Sequence, residues 1–248
     1  MENWLVYVIF KRKYLLTSVE NSKIRDKNML TERLNCIINY VNCECAADIG
    51  TDHAYAATEL IRLGRAKRVI AADVRQGPFN AAIENIKKNR MENEIETRLG
   101  SGLSVLNPGE ADECIIAGMG GELICEILNA DIETARSMKL ILQPMNAQYE
   151  VRKYLIENGF KILKEDIVCE GERVYNVIIT KSGEGEPFEK EIDWHIPPYL
   201  KEHPLYEKLL NKKKREFTKI VKGLEESKNC DVEKLTYYKE LLKETDGE

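Results

Sequence analysis

Three acidic residues and two glycine-containing turns carry most of the chemistry legible in this chain of 248 residues. Ala47-Asp48-Ile49-Gly50-Thr51-Asp52-His53-Ala54-Tyr55 begins in an apolar, β-rich run from Cys45 to Ile49, breaks at Gly50, and continues into a helical pattern from Ala56 to Leu63. A second run, Lys67-Arg68-Val69-Ile70-Ala71-Ala72, ends in Asp73. Strand, turn, helix, strand and terminal acid make one βαβ unit. In such a unit the turn lets a ligand approach backbone N–H groups, and the acid at the tip of the second strand accepts from a ribose diol. The pattern predicts a site for a nucleoside-type cofactor.

Placing that site requires alternating strands and helices, and the chain has them. From Met29 an amphipathic helix puts Leu30, Leu34, Ile37, Ile38 and Val41 on one face, with Thr31 as N-cap. Strands are predicted over 45–49, 68–73, 95–99, 113–117 and 140–143, and helices over 54–63, 77–89, 122–128 and 149–158. The runs 161–168 and 173–181 have no helix between them, so they pair antiparallel. The expected architecture is α/β: a Rossmann-like, doubly wound, mostly parallel sheet with helices on both faces. A polar stretch, Ser182-Gly183-Glu184-Gly185-Glu186-Pro187, then leads to a charged helical tail. Leu205, Leu209, Phe217, Ile220, Val221 and Leu224 form one seam there, and Leu235, Tyr238, Leu241 and Leu242 a matching one. An antiparallel hairpin is the natural packing.

Composition sets outer bounds. A hydrophobic content of 43% suits one α/β domain with a smaller appendage, and a net charge of −5 excludes a uniformly basic coat without excluding a local basic stripe. The seven cysteines are scattered without a C-x-x-C pair, and only three histidines could assist them, so no metal site is expected. Free thiols in a reducing cytosol are the reading, and hence a cytoplasmic location. Met1 to Asn28 fits nothing that follows it: its apolar part, Trp4 to Phe10, is too short to span a bilayer. Three regions are therefore expected: a poorly ordered extension over 1–28, a cofactor-binding domain over 29–185, and a helical hairpin over 186–248.

The loops beyond the carboxyl ends of the strands are Gly50–Tyr55, Asp73, Gly100–Gly102, Gly118–Gly121 and Gln143–Met145, where ligands of open α/β sheets bind. The first turn is not G-x-G-x-x-G. Asp52 and His53 fill the space of a dinucleotide pyrophosphate, whose charges would also be repelled by Asp48 and Asp52. A cofactor with a sulfonium and a free amino group suits these carboxylates better, which favours S-adenosylmethionine over NAD.

The run Ala47–Tyr55, the segment Ile116-Ala117-Gly118-Met119-Gly120-Gly121 and Leu140-Ile141-Leu142-Gln143-Pro144 together resemble the bacterial tRNA (adenine-22-N1)-methyltransferase family. The likeness runs from about Met29 to Lys181, with the charged tail in the expected place. It implies a class I methyltransferase domain followed by a small coiled-coil-like helical domain. The implied reaction uses S-adenosylmethionine to methylate N1 of an adenine in the D-arm region of tRNA. On the resemblance, Asp48, Gly50, Thr51 and His53 belong to the first cofactor loop, Asp73 holds the ribose hydroxyls, and Ser101 and Gly102 lie against the cofactor adenine near Ala117. Ser101 stands where the family often has an acid, and Met145 intervenes before Asn146 where some members have asparagine directly after Gln143-Pro144.

Methyl transfer to adenine N1 needs no deprotonation, so alignment does much of the work. A carboxylate would stabilise the cationic product, and Asp52 is the candidate; its structural alternative is a turn or helix cap. Gly118, Met119, Gln143 and Pro144 complete the expected catalytic group, and Tyr55 is either a base-stacking or a helix-packing ring. Lys212, Lys213, Lys214 and Arg215, with Lys208, Lys219 and Lys222, form the expected phosphate grip for tRNA; a solvated helix face is the alternative. No obligate protein partner and no membrane contact are expected, and a monomer is the reading. The remaining alternatives are a methyltransferase acting on another RNA or a small molecule, and an inactive RNA- or nucleotide-binding scaffold.

Overall fold

Continuous apolar runs such as Cys114-Ile115-Ile116 and Leu140-Ile141-Leu142 fit strands covered on both faces, and they form the centre of a seven-stranded sheet. The computed structural model describes residues 30–246; Met29 and the extension Met1 to Asn28 lie outside them. In chain order the elements begin with α1 (Glu32–Asn39), β1 (Cys43–Ile49), α2 (Tyr55–Arg62), β2 (Ala66–Asp73), α3 (Gln76–Asn89) and β3 (Ile95–Leu99). β4 (Glu113–Met119), α4 (Gly121–Ala130), α5 (Ile132–Arg136), β5 (Lys139–Pro144) and α6 (Gln148–Glu157) follow. β6 (Phe160–Glu170) and β7 (Arg173–Ser182) close the sheet, and α7 (Glu191–His195), α8 (Tyr206–Glu225) and α9 (Val232–Asp246) complete the described chain.

The strand order is β3-β2-β1-β4-β5-β7-β6. The first five are parallel, and β7 runs antiparallel to both β5 and β6. The Rossmann-like sheet expected from the sequence is therefore present. On β1, Cys45, Ala47 and Ile49 join the main core with Ile70, Cys114, Ile116, Leu140 and Leu142, over which Ile124 and Leu128 of α4 and Val151 and Leu155 of α6 pack. Asp48, one residue out of phase with Ala47 and Ile49, points to the opposite face.

Three differences have simple causes. Helices α5 and α7 are five residues each, too short to show a helical period in sequence. β4 does not turn at Gly118 but runs on to Met119. The helical tail begins with the short α7, and its long helix starts only at Tyr206, after Pro204, which has no N–H to donate within a helix.

The tail helices are antiparallel, with Lys214 paired to Asp246 near one end and Lys239 to Glu225 at the other. They are tied to the sheet. Ile196, Leu200 and Leu209 pack against Ile167 of β6 and Val174 of β7. Beside them lies a fully buried ion pair: Arg152 Nε and Nη2 donate to Glu165 at 3.0 and 2.5 Å, and Nη1 donates to the Trp194 carbonyl at 2.7 Å. Asn176 Nδ2 and the Tyr199 hydroxyl donate to the same carboxylate, at 2.7 and 2.9 Å. The charge is thus matched and its lone pairs filled, the condition under which a buried pair holds.

Removing one partner should leave an uncompensated buried charge. Arg152→Met is expected to lose about 3–5 kcal/mol of unfolding free energy in urea titration, and Arg152→Met with Glu165→Leu markedly less. Equal losses would show that the ion pair contributes nothing specific.

Candidate active site

Parallel strands end on the same edge of a sheet, so the tips of β1 to β5 converge without any special device. Val69, Ala71 and Asp73 alternate with the core-facing Ile70 and Ala72, which puts Asp73 on the same face as Asp48 of the neighbouring strand. Both carboxylates are buried. The Thr51 hydroxyl donates to Asp48 Oδ2 at 2.6 Å, and the Arg75 N–H donates to Asp73 Oδ1 at 2.7 Å. Burial pushes the Asp48 carboxyl up to about 6, against the lowering effect of the Thr51 bond, and the nearby Asp73 charge adds to the rise. An acid so placed gains from an incoming cation.

The first loop is shaped by its backbone. Gly50 N–H and Thr51 N–H both donate to the Ala72 carbonyl, at 2.8 and 2.9 Å, locking the turn to the end of β2. Gly50 has φ +79°, which strains any L side chain, and the Met119 methyl end fills the space where a Cβ would stand. His53 and Ala54 follow with φ 57° and 52°, two successive left-handed residues without glycine's freedom. Asn85 Nδ2 holds this bend by donating to the His53 carbonyl at 2.7 Å. Helix α2 has no side-chain cap at Ala54, so Asp52 is not a helix cap; its carboxylate stands exposed, 3.5 Å from His53 Nε2. The His53 ring stacks on exposed Tyr55 with centroids 5.4 Å apart.

At the tips of β4 and β5 the ladder slips. Ala117 pairs with Gln143 and Met119 with Pro144, leaving Gly118 (φ +75°) as a one-residue bulge. Its N–H donates instead to Gln143 Oε1 at 3.2 Å. The same oxygen accepts from Arg33 Nη1 at 2.6 Å, and Gln143 Nε2 donates to the Pro144 carbonyl at 3.0 Å. The structure thereby corrects the roles expected of Gln143 and Pro144. Both are buried, and the Gln143 amide is spent on bracing the strand ends rather than presented to a ligand. Asn146 Oδ1 accepts from Gly121 N–H at 3.1 Å, at the start of α4. Gly118 itself is exposed, flanked by half-buried Ala117 and Met119. Ser101 is exposed and Gly102 (φ +53°) packs on Ile127, after β3.

Arg33 has no signal in the sequence beyond its charge, since its partner Gln143 is 110 positions away. The expected tail grip also changes. Lys213 is buried, with Nζ donating to Gln148 and Glu216 at 3.3 and 2.9 Å. Lys212 donates to the Val174 carbonyl at 2.9 Å, and its burial holds the ammonium below the usual lysine value. Lys214 pairs with Asp246. The α8 seam that packs on the sheet carries Lys212 and Lys213 inward with it. Of the residues expected in the grip, Lys208, Arg215, Lys219 and Lys222 are exposed. Among the described residues no cluster of three or more His, Cys, Asp or Glu could hold a metal, and no helix is long and apolar enough to cross a membrane.

Glycine turn, paired acids and the β-order of the sheet define a methyltransferase-type cofactor site. Residues 30–178 match the family described as "Methyltransferase domain", and the chain belongs to that family. Its resemblance to the tRNA (adenine-22-N1)-methyltransferases is borne out by its relatives. It is 36% identical over 158 residues to the Bacillus subtilis tRNA (adenine(22)-N(1))-methyltransferase, a match covering 62% of this chain and 66%, just under two thirds, of that relative. The structure of the B. subtilis m1A22 tRNA methyltransferase TrmK superposes with a TM-score of 0.79 at 29% identity, over 88% of this chain and 98% of that one. A Streptococcus pneumoniae structure in complex with S-adenosyl-L-methionine gives a TM-score of 0.74 at 30% identity, over 86% and 100%.

The raised Asp48 value fixes a sign. Between the unfolded value of 3.8 and the folded value of about 6, the native state binds more protons, so stability falls as pH rises through that window. Asp48→Asn keeps an acceptor for Thr51 without the charge. It should be more stable than the native sequence above pH 6, by roughly 2–3 kcal/mol, with the gap closing below pH 4. Thermal unfolding from pH 4 to 8 checks this, and a pH-independent difference would contradict it.

Proposed function

We propose that this protein is a methyltransferase that uses S-adenosylmethionine to methylate N1 of adenine 22 in the D-arm region of tRNA. The observation that carries the reading is the pair of buried carboxylates, Asp48 and Asp73, on one face at adjacent strand tips beside the Gly50 turn. The residues fit the cofactor. Asp73 offers a carboxylate to the ribose hydroxyls, the Gly50 turn lets a ligand come close with no Cβ at that position, and Asp48 raises the negative potential that a sulfonium and an ammonium favour. Thr51, His53, Ala117, Ser101 and Gly102 would line the same cofactor. When bound, S-adenosylmethionine supplies an electrophilic methyl group.

The remaining work falls to this chain's own residues. Adenine N1 already carries a lone pair, so the protein has only to orient the base and exclude alternatives. Gly118, exposed at the bulge and lacking a side chain, leaves room for the base beside Met119. Methylated N1 is cationic, and the exposed Asp52 carboxylate stabilises the charge as it develops. His53, stacked on Tyr55, orients that loop. N1 lies on the pairing edge, so the adenine must leave its helix, and a grip on the RNA backbone has to hold the substrate meanwhile. Lys208, Arg215, Lys219 and Lys222 are spaced by seven, four and three residues, which places them on one exposed face of α8. Residues 186–248 are accordingly the tRNA-docking part, and Lys214 extends it if its pair with Asp246 opens. The reading places the protein in the cytoplasm, where its substrate is, working as a monomer.

The direct test is incubation of tRNA with labelled cofactor and mass spectrometry of the nucleosides. The expected product is N1-methyladenosine, lost when adenine 22 is replaced. A different methylated nucleoside would favour another RNA target, and cofactor binding without product an inactive scaffold.

Asp73→Ala should weaken cofactor binding by roughly 10- to 150-fold, the value of a hydrogen-bonded charge, while Asp52→Ala should depress turnover with cofactor affinity kept. Equal loss of both in Asp52→Ala would put Asp52 in the cofactor shell. Changing Lys208, Arg215, Lys219 and Lys222 together to alanine should raise the KM for tRNA and flatten its salt dependence, with cofactor affinity unmoved. An unchanged salt slope would leave this face merely solvated.

A further inference from the structure

Gly118 stands out of the β4–β5 ladder, and its orphaned N–H needs an acceptor. That acceptor is a side chain, Gln143 Oε1, and its orientation is not self-determined: a flipped amide would set an NH2 group against two donors. Arg33 Nη1 fixes the choice from the other side at 2.6 Å. Arg33 in turn has neighbours on several sides. Its guanidinium lies 5.3 Å over the Tyr175 ring, Nη1 is 3.9 Å from Met145 Sδ, and Nε is 3.8 Å from Glu170 Oε1. The backbone N–H of Arg33 donates to that same Glu170 oxygen at 3.0 Å. Nε is buried without a hydrogen-bond partner among the described residues, so the 2.6 Å bond from Nη1 to Gln143 is the strong polar tie of this guanidinium. The opposite side of the bulge is equally constrained, since Met119 lies against Gly50 and its carbonyl accepts from Met145 N–H at 2.8 Å.

We infer that Arg33 is a positioning residue for methyl transfer: acting through Gln143, it holds the Gly118 bulge at the height where the acceptor base meets the methyl group. This rests on the proposed function. Arg33 comes from α1, outside the strands and loops that form the cofactor cradle, and its Nη1 lies 3.4 Å from where a Cβ on Gly118 would stand, so it joins the first helix to the edge of the base site. The prediction is a kinetic split. Affinities for cofactor and tRNA stay, and the transfer rate falls, because a misplaced acceptor of about 1 Å costs up to roughly 100-fold.

Arg33→Met keeps the packing over Tyr175 and removes the donors. Single-turnover methylation should slow by roughly 10- to 100-fold, with the tRNA KM and the cofactor Kd within about twofold. Arg33→Lys, which retains a donor, should recover most of the rate. Gln143→Leu should lose as much as Arg33→Met, and the double variant no more, because both break one bridge. Hydrogen exchange at the Gly118 amide, followed by NMR, reads the bridge itself and should accelerate in Arg33→Met. A native rate and native Gly118 protection in Arg33→Met would overturn the inference. So would a defect confined to tRNA KM with a flatter salt slope, which would make Arg33 a phosphate contact. If the native protein transfers no methyl group to tRNA, the proposed function fails, while Gly118 exchange still decides whether Arg33 sets the bulge.

Discussion

Two carboxylates buried side by side at the tips of β1 and β2 are the constraint around which the site is arranged. Folding has to desolvate Asp48 against the Asp73 charge, and the native state carries the cost as a raised Asp48 value. Acids perturbed in this way cluster at functional sites, where a ligand offsets the cost. A cation-bearing ligand with hydroxyl donors does so. The neighbouring features serve the same end: the Gly50 turn tied to the Ala72 carbonyl, the left-handed His53-Ala54 bend, and Met119 closing over Gly50.

The second arrangement is the bulge. A regular β4–β5 ladder would bury Gly118 between paired backbones; the slip lifts it to the surface at the cost of one orphaned N–H. Gln143 Oε1 accepts from that group and from Arg33 Nη1, so the strand ends and the shape of the bulge are held by the same hydrogen bonds. The tail is handled differently. The Arg152–Glu165 pair and its neutral partners tie α6 and β6 to the segment holding Trp194 and Tyr199, fixing the tail helices on the sheet edge by satisfied buried charge.

Much of this was legible in sequence, and the boundary of legibility is physical. The βαβ unit, the acids at Asp48 and Asp73, and the antiparallel closing pair all express local chemistry within a few residues, where apolar runs and glycine turns leave a pattern. Gln143 was visible but its role was not, because its partners Arg33 and Gly118 lie 110 and 25 positions away. Lys212 and Lys213 read as part of a basic run, and only the packing of α8 on the sheet shows that they point inward. Spacing identifies a helix face; it does not say which face the fold covers.

In the proposed function the acidic pair holds a cationic, ribose-bearing cofactor. Titration calorimetry with S-adenosylmethionine in buffers of different ionisation heat tests it most directly. Because a bound cation lowers the Asp48 value from about 6, binding should release protons near pH 6, and Asp48→Asn should abolish that release. Absence of binding, or tighter binding of a pyrophosphate-bearing dinucleotide, would contradict the account.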